Sequence, residues 1–509
     1  MIHAREQYQA GWRAVACLLL AGLADFLFYA EGMGWAAGIY TFIILGALLF
    51  FNPGLAHAKP GKVIIVINWV LVFALIENPS GLTITLSFLG ITSMALLSHP
   101  GWTYNAGLWL RGVFDFWTQN AFRVLKDVKL FRYLFHEDGD SSRRSIQLKH
   151  WILPLGLSLV FVILFAGANP ILIRWLDLIN WNRIFDLFTL ERTLLWSLVI
   201  MLCWPLLQPR FRLKQKSIGD TDFKKDVRKL IRFLFSRESI LYSLIIFNLL
   251  FSAQTFMDLI YLWGGRALPD GMSYAEYAHR GAYPLIATAL LAGAFVLVAL
   301  RPGSETERMR SIRYLVYCWI GQNIFLVLSS IWRTALYVEE YSLTYLRLAA
   351  LIWMGLVALG LVLLILRILW TRSNIWLINL NGITLLTVLM MCSFINLGSV
   401  IAQFNVEHCK EVNGTGPALD LKYLEEIGTA SLPALHWFQQ HGNRYNYKMS
   451  RALKLKTDLR VALSHELKKW RTWTFRGYRL SRNSGSHSKL KASGRSSDWR
   501  IAPAKNELR

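Results

Sequence analysis

The sequence predicts an all-α fold: a polytopic transmembrane helix bundle of about eleven spans, with amphipathic interfacial helices and a small extracytoplasmic C-terminal region. Three observations predict it. Of 509 residues, 54% are hydrophobic and only 17% are charged, where a water-soluble domain carries about 25% charge. The mean hydropathy is +0.36. Apolar runs recur along the chain at a length near the roughly 20 residues a helix needs to cross the hydrocarbon core. In lipid every backbone N–H and C=O must be bonded internally, so such runs fold as helices. An ordinary soluble enzyme, a disordered chain, a collagen and a disulfide scaffold are all excluded.

In the N-terminal region, 1–98, four spans are predicted at 11–30, 33–51, 62–77 and 82–98. His3, Arg5 and Arg13 precede the first apolar run, which continues without a small-residue cleavage site and so reads as a signal anchor. The third and fourth spans are short and are separated by Glu77-Asn-Pro-Ser-Gly81, a turn signal. They read equally as a re-entrant pair. A cytoplasmic basic loop, 99–150, leads to a seven-span core, 151–402, with spans at 151–168, 192–208, 240–263, 283–300, 315–331, 348–370 and 377–402. In the extracytoplasmic region, 403–480, short helices are expected at 421–428 and 432–438, and a basic helix at 449–470. Beyond Ser481 the composition turns to Ser, Gly, Lys and Arg, which predicts a disordered tail over 481–509.

The formal charge is +23. Basic residues gather in cytoplasmic loops of membrane proteins and meet anionic head groups there. With the N-terminus cytoplasmic, the inside segments hold 28 Lys and Arg and the outside loops hold 7. That asymmetry orients the chain, and eleven crossings then place the C-terminus outside. No base-stacking or groove-reading motif accompanies the charge, so no nucleic acid is expected. Two inside stretches, 105–136 and 221–236, interleave large apolar and basic residues. They read as helices lying in the head-group layer, with anionic lipid as partner or as plain interfacial anchors. The five cysteines show no zinc spacing and no disulfide framework.

Ionisable residues inside spans are costly and point to function. Asp258 leads them, with Gln254 one turn before it on nearly the same face, and Arg266 or Arg333 as partners. A buried structural ion pair is the plainer reading of the same residues. Asp25 reads as a similar candidate whose position also allows it to snorkel, as does that of Glu31; Arg367 is placed to snorkel, and Gln322 and Asn323 to bond across helices. A polar cluster is expected at the outer face. Tyr261, Arg266, Glu276 and Arg280 would meet Arg333 and Arg347, and the arginines would grip an anionic group. Loop-capping salt bridges account equally well for that cluster. His465-Glu466 begins like a zinc protease motif, but Lys469 stands where its second His belongs. No catalytic residue, metal or cofactor is predicted.

Met257-Asp-Leu-Ile-Tyr-Leu-Trp-Gly-Gly-Arg266, Glu276-Tyr-Ala-His-Arg-Gly281, Tyr341-Ser-Leu-Thr-Tyr-Leu-Arg347 with Trp353, Asp420–Gly428 and Pro433–Leu435 together resemble a family. It is a family of bacterial multi-pass membrane proteins catalogued as a domain of unknown function of the four-one-seven-three type. The resemblance covers roughly 150–475 and implies a bacterial inner-membrane protein with no assigned activity. Three readings of function stand: binding, sensing or moving a lipid-like or anionic molecule at the outer leaflet; a membrane scaffold or signalling partner; and a membrane-embedded enzyme at the same outer cluster. Protein partners are not readable.

Overall fold

The computed structural model describes residues 2–56, 59–97, 106–120, 189–208, 236–264, 290–297, 309–442 and 447–483, with isolated positions between them. Among the described residues all regular structure is helical and there is no strand. Six helices are long and apolar enough to cross a membrane: Gly11–Phe28, Leu190–Leu207, Arg237–Trp263, Arg310–Tyr341, Tyr345–Leu369 and Asn374–Phe394. Ala36–Phe51 and Gly81–Leu97 are shorter apolar helices. Nearly all of the expected span 151–168 and of the amphipathic stretch 221–236, and the tail beyond 483, lie outside the described residues, and 283–300 lies there in part.

The chain divides into two compact units. The first comprises residues up to 104 and 108–215. Its helices are α1 (Ile2–Phe28), α2 (Ala36–Phe51), α3 (Lys59–Glu77), α4 (Gly81–Leu97), most of α5 (Ala106–Asn120) and α6 (Leu190–Leu207). Leu20, Leu45, Leu48, Met94, Phe116 and Leu207 anchor its core. The turn signal at 77–81 closes an α3–α4 hairpin. Thr83 Oγ1 donates to the Asn78 carbonyl at 3.0 Å and accepts from the Ser80 N–H at 2.8 Å. Two hydroxyls of α4 bond to its own backbone: Thr92 to the Phe88 carbonyl (2.8 Å) and Ser93 to the Leu89 carbonyl (2.6 Å).

Two charged residues in this unit find partners across the chain. Asp25 does not snorkel. It pairs with Arg192 at 3.2 Å, and that guanidinium lies 4.1 Å from the Tyr29 ring centroid. Arg123 belongs to the stretch 105–136 that reads as an interfacial helix. It is buried, bonded to Asp127 (3.1 Å), to Asn120 (3.1 Å) and to the Gln208 carbonyl (2.6 Å), while the Trp204 indole N–H donates to Asp127 at 2.9 Å. The stretch after α5 is thus tied into the core of the unit at these two positions. The indoles of Trp109 and Trp117 fasten α5 to Ser93 (2.9 Å) and Thr92 (3.3 Å) of α4.

The second unit holds residues 105–107 and 216–509. Its helices are α7 (Arg237–Asp258, continued by a π-helical turn over Leu259–Trp263), α8 (Arg310–Tyr341), α9 (Tyr345–Leu369) and α10 (Asn374–Phe394). Then come α11 (Leu397–Glu407), α12 (Lys410–Asn413), α13 (Leu421–Ile427), α14 (Leu432–His441), α15 (Tyr447–Lys468) and α16 (Phe475–Asn483). Side-chain caps start several of them: Ser236 for α7, Thr344 for α9, Ser373 for α10 and Asp420 for α13. Helices α7, α8, α9 and α10 pack in sequence. Their core is built from Leu244, Val316, Trp319, Val327, Met354 and Leu364.

Here too the structure corrects the sequence reading. The apolar run 377–402 is not one helix. It breaks at Ile395, which is extended, and Asn396 restarts the chain by accepting the Ser399 N–H at 3.2 Å. The released α11 packs on α14. Together with α13 and α15 they form a core of Ala402, Val406, Leu424, Leu435, Phe438 and Met449. Arg367 does not snorkel; it is fully buried. All five cysteines are free thiols. Burial pushes the Cys409 thiol up to about 11, and the neighbouring Glu411 adds to the effect.

Candidate functional site

The seam between α7 and α8 is apolar in composition but is fastened by polar side chains at regular intervals. The Asn248 amide donates to the Leu315 carbonyl at 3.1 Å and to Leu244 of its own helix at 2.7 Å. The Gln322 amide donates to the Ser252 hydroxyl at 2.8 Å, the cross-helix bond expected of it. Asn323 instead bonds within its own helix, to the Trp319 carbonyl at 2.8 Å. The Trp263 indole donates to Ser329 at 3.1 Å and stacks near Trp332.

At one end of this seam Asp258 and Arg333 form an ion pair. Asp258 is 0% and Arg333 3% exposed. Gln254, one turn before Asp258, donates to the same carboxylate oxygen at 3.1 Å. The sequence reading expected 315–331 as the span, with Arg333 just past its end. Helix α8 runs ten residues further, to Tyr341, so Arg333 is held inside the packed helix. Asp258 is the last α-helical residue before the π-helical turn. Such wide turns are uncommon and are frequent at functional sites. The pair is therefore a desolvated, charge-compensated junction next to an irregular backbone segment.

Of the remaining candidates, two lie among the described residues. Tyr261 lies partly buried in the π-helical turn. Arg347 caps α8, donating to the carbonyls of Tyr341 and Ser342 with its guanidinium 4.4 Å from the Tyr337 ring centroid. Those carbonyls end a helix, where a cation is favoured. Arg266, Glu276 and Arg280 lie outside the described residues. Among the described residues no three His, Cys, Asp or Glu side chains gather as metal ligands.

Sequence reasoning missed two features of this unit. One is a cleft of about 390 Å³ lined by Leu290, Leu297, Trp353, Leu361, Asn381 and Thr384 among others. Gly360 lets the Asn381 side chain come close to α9 in this wall, since a Cβ there would lie 2.9 Å from the Asn381 amide oxygen. The other is a two-point clamp in which Asn405 accepts from the Leu343 N–H (2.7 Å) and donates to the Leu343 carbonyl (2.9 Å). It ties α11 to the α8–α9 turn, where Ser342 adopts a φ of +68°. The Tyr423 hydroxyl accepts the Tyr345 N–H at 2.9 Å and docks α13 on the same turn.

The class so defined is an all-helical protein whose apolar helices suit a membrane. More specifically, the chain belongs to the family described as "Domain of unknown function (DUF4153)", which matches residues 14–437. That is an unknown-function family, as the resemblance implied, but its number is 4153 rather than four-one-seven-three. The match also extends further toward the N-terminus than the resemblance did. No curated protein and no solved structure matches the chain.

Proposed function

We propose that this chain is a multi-pass protein of a bacterial inner membrane, with about eleven spans, a cytoplasmic N-terminus and an extracytoplasmic C-terminus. Its role is to bind, sense or move a lipid-like or anionic molecule. The observation that carries this reading is the buried Asp258–Arg333 pair between two helices of spanning length. Two apolar side chains packed in their place are often at least as stabilising as a buried charge pair, and charges inside spanning helices mark functional sites by default. An anionic head group reaching Arg333 competes with the Asp258 carboxylate. The cleft beside Trp353 and Leu361 supports the lipid half of the reading, because its apolar walls suit an acyl chain.

Native mass spectrometry of the detergent-extracted protein tests it. The wild type retains an anionic amphiphile, and Arg333→Met and Leu361→Trp lose it. Asp258→Asn removes the competing carboxylate and retains more. Equal retention by all four proteins, or none by the wild type, sinks the reading. A scaffold role is favoured by one separate observation, the C-terminal helices with a core of their own. It predicts that deleting 451–509 removes a protein partner in a pull-down while membrane insertion persists.

A further inference from the structure

The corner between α15 and α16 is used by neither reading of the Asp258 region. From Lys468 to Asn483 the chain carries Lys468, Lys469, Arg471, Arg476, Arg479 and Arg482, and no acidic residue. Aromatic rings interleave with them: Trp470, Trp473, Phe475 and Tyr478. Trp470 is 48%, Phe475 44% and Tyr478 38% exposed. Arginine and aromatic side chains associate on this surface. The Arg471 guanidinium lies 5.5 Å from the Trp470 ring centroid and that of Arg479 lies 5.2 Å from the Phe475 ring centroid. The local fold is built to hold them there. Thr474 caps α16 by accepting the Gly477 N–H at 3.0 Å. Gly477 is buried, and a Cβ there would come within 3.4 Å of the Leu463 side chain.

Arg476 fixes where this corner sits. Its guanidinium donates to the carbonyls of Ser393 (3.4 Å) and Phe394 (3.3 Å), at the very end of α10. Helix α10 is long and apolar enough to cross a membrane. The corner is therefore pinned at the level where that helix leaves the apolar layer. Tryptophan and tyrosine favour this level, and arginine forks match phosphate oxygens.

We propose that the 468–483 corner is a docking surface for anionic phospholipid head groups of the membrane that α10 spans. The rings enter the head-group boundary, while Arg479, Arg482 and Lys468 meet the phosphates. The partner is assigned by charge complementarity and by the tether to α10. The inference rests on the membrane reading, and its test separates the two.

The full-length protein is reconstituted into vesicles of phosphatidylethanolamine with or without phosphatidylglycerol. A photo-crosslinking benzoylphenylalanine replaces Ile383 of α10, Phe475, Tyr478 or Tyr447 in turn. Ile383 is 60% exposed and reports on the membrane reading alone. Tyr447 lies at the far end of the 22-residue α15, about 30 Å along that helix. Lipid adducts are expected at 383, 475 and 478 and not at 447. Phosphatidylglycerol should raise the yield at 475 and 478 at least threefold, and Arg479→Gln with Arg482→Gln should remove that gain. Lipid adducts at 383 but none at 475 and 478, or protein adducts there instead, would overturn the docking surface. Equal yields with and without phosphatidylglycerol would overturn the choice of an anionic head group. No adduct at 383 would overturn the membrane reading and the inference with it.

Discussion

The Asp258 carboxylate and the Arg333 guanidinium are each other's counter-ion inside a packed seam. Removing one leaves the other charged and desolvated, which costs roughly 3–5 kcal/mol. Asp258→Leu and Arg333→Met should therefore each lower the midpoint of thermal unfolding in detergent. The double variant should recover to within about 1 kcal/mol of wild type, because both charges leave together. A double variant as unstable as the worse single one contradicts the pairing. A second prediction concerns Glu411 and His436. Burial works against ionisation of Glu411, but Lys448 at 2.6 Å and the Leu419 N–H outweigh it and hold its carboxyl below 4.5. Burial, with Lys456 and Arg460 beside it, holds the His436 imidazole below 6.5. In both cases the unfolded chain takes up a proton that the folded protein resists. Stability therefore falls as pH drops, first below about 6.5 for the histidine and then below about 4.5 for the carboxylate. Melting curves from pH 8 to 4 should show both losses, and His436→Gln should flatten only the first.

At the scale of an element, the break between α10 and α11 decides what the C-terminal helices can do. Hydropathy ran through it because Leu397, Val400 and Ile401 are as apolar as the span before them. What ends the span is the extended Ile395 and the capping side chain of Asn396. A lost cap of this kind costs about 1 kcal/mol. Gly398 then lets α11 approach the Tyr345 hydroxyl more closely than any Cβ allows, and the Ala430 side chain lies close beside it. Gly398→Val should release α11 from the α8–α9 turn. Asn405→Leu should do the same by stranding the Leu343 N–H and C=O, at about 1–3 kcal/mol. Limited proteolysis checks both variants, with faster cleavage around Gly414–Pro417 as the expected outcome. An unchanged cleavage rate in both would show that the clamp does not hold the C-terminal helices.

For the whole molecule, the proposed orientation is open to direct measurement. Alkaline phosphatase fused near Lys225 should be inactive, and a fusion after Gly416 should be active. A fluorescent protein that matures only in the cytosol should give the reverse pattern. Activity of the phosphatase at Lys225 would invert the topology and remove the cytoplasmic assignment of the basic loops.

Composition and apolar run length by themselves determined that this chain is helical and suited to a membrane, because lipid admits few backbone solutions for long apolar segments. The short helices at 421–427 and 432–441 were legible as well, each with its own starting signal in Asp420 or Pro433. Asp258 stood out as a costly charge, but its partner did not, since Arg266 and Arg333 are equally basic in sequence. The tertiary structure supplies Arg333, by extending α8 past residue 331 and packing it on α7, while Arg266 lies outside the described residues. The same holds for Asp25 with Arg192, Arg123 with Asp127, and the burial of Arg367. Hydropathy records what a residue costs to bury, whereas the neighbour that offsets the cost is set by packing between segments far apart in the chain.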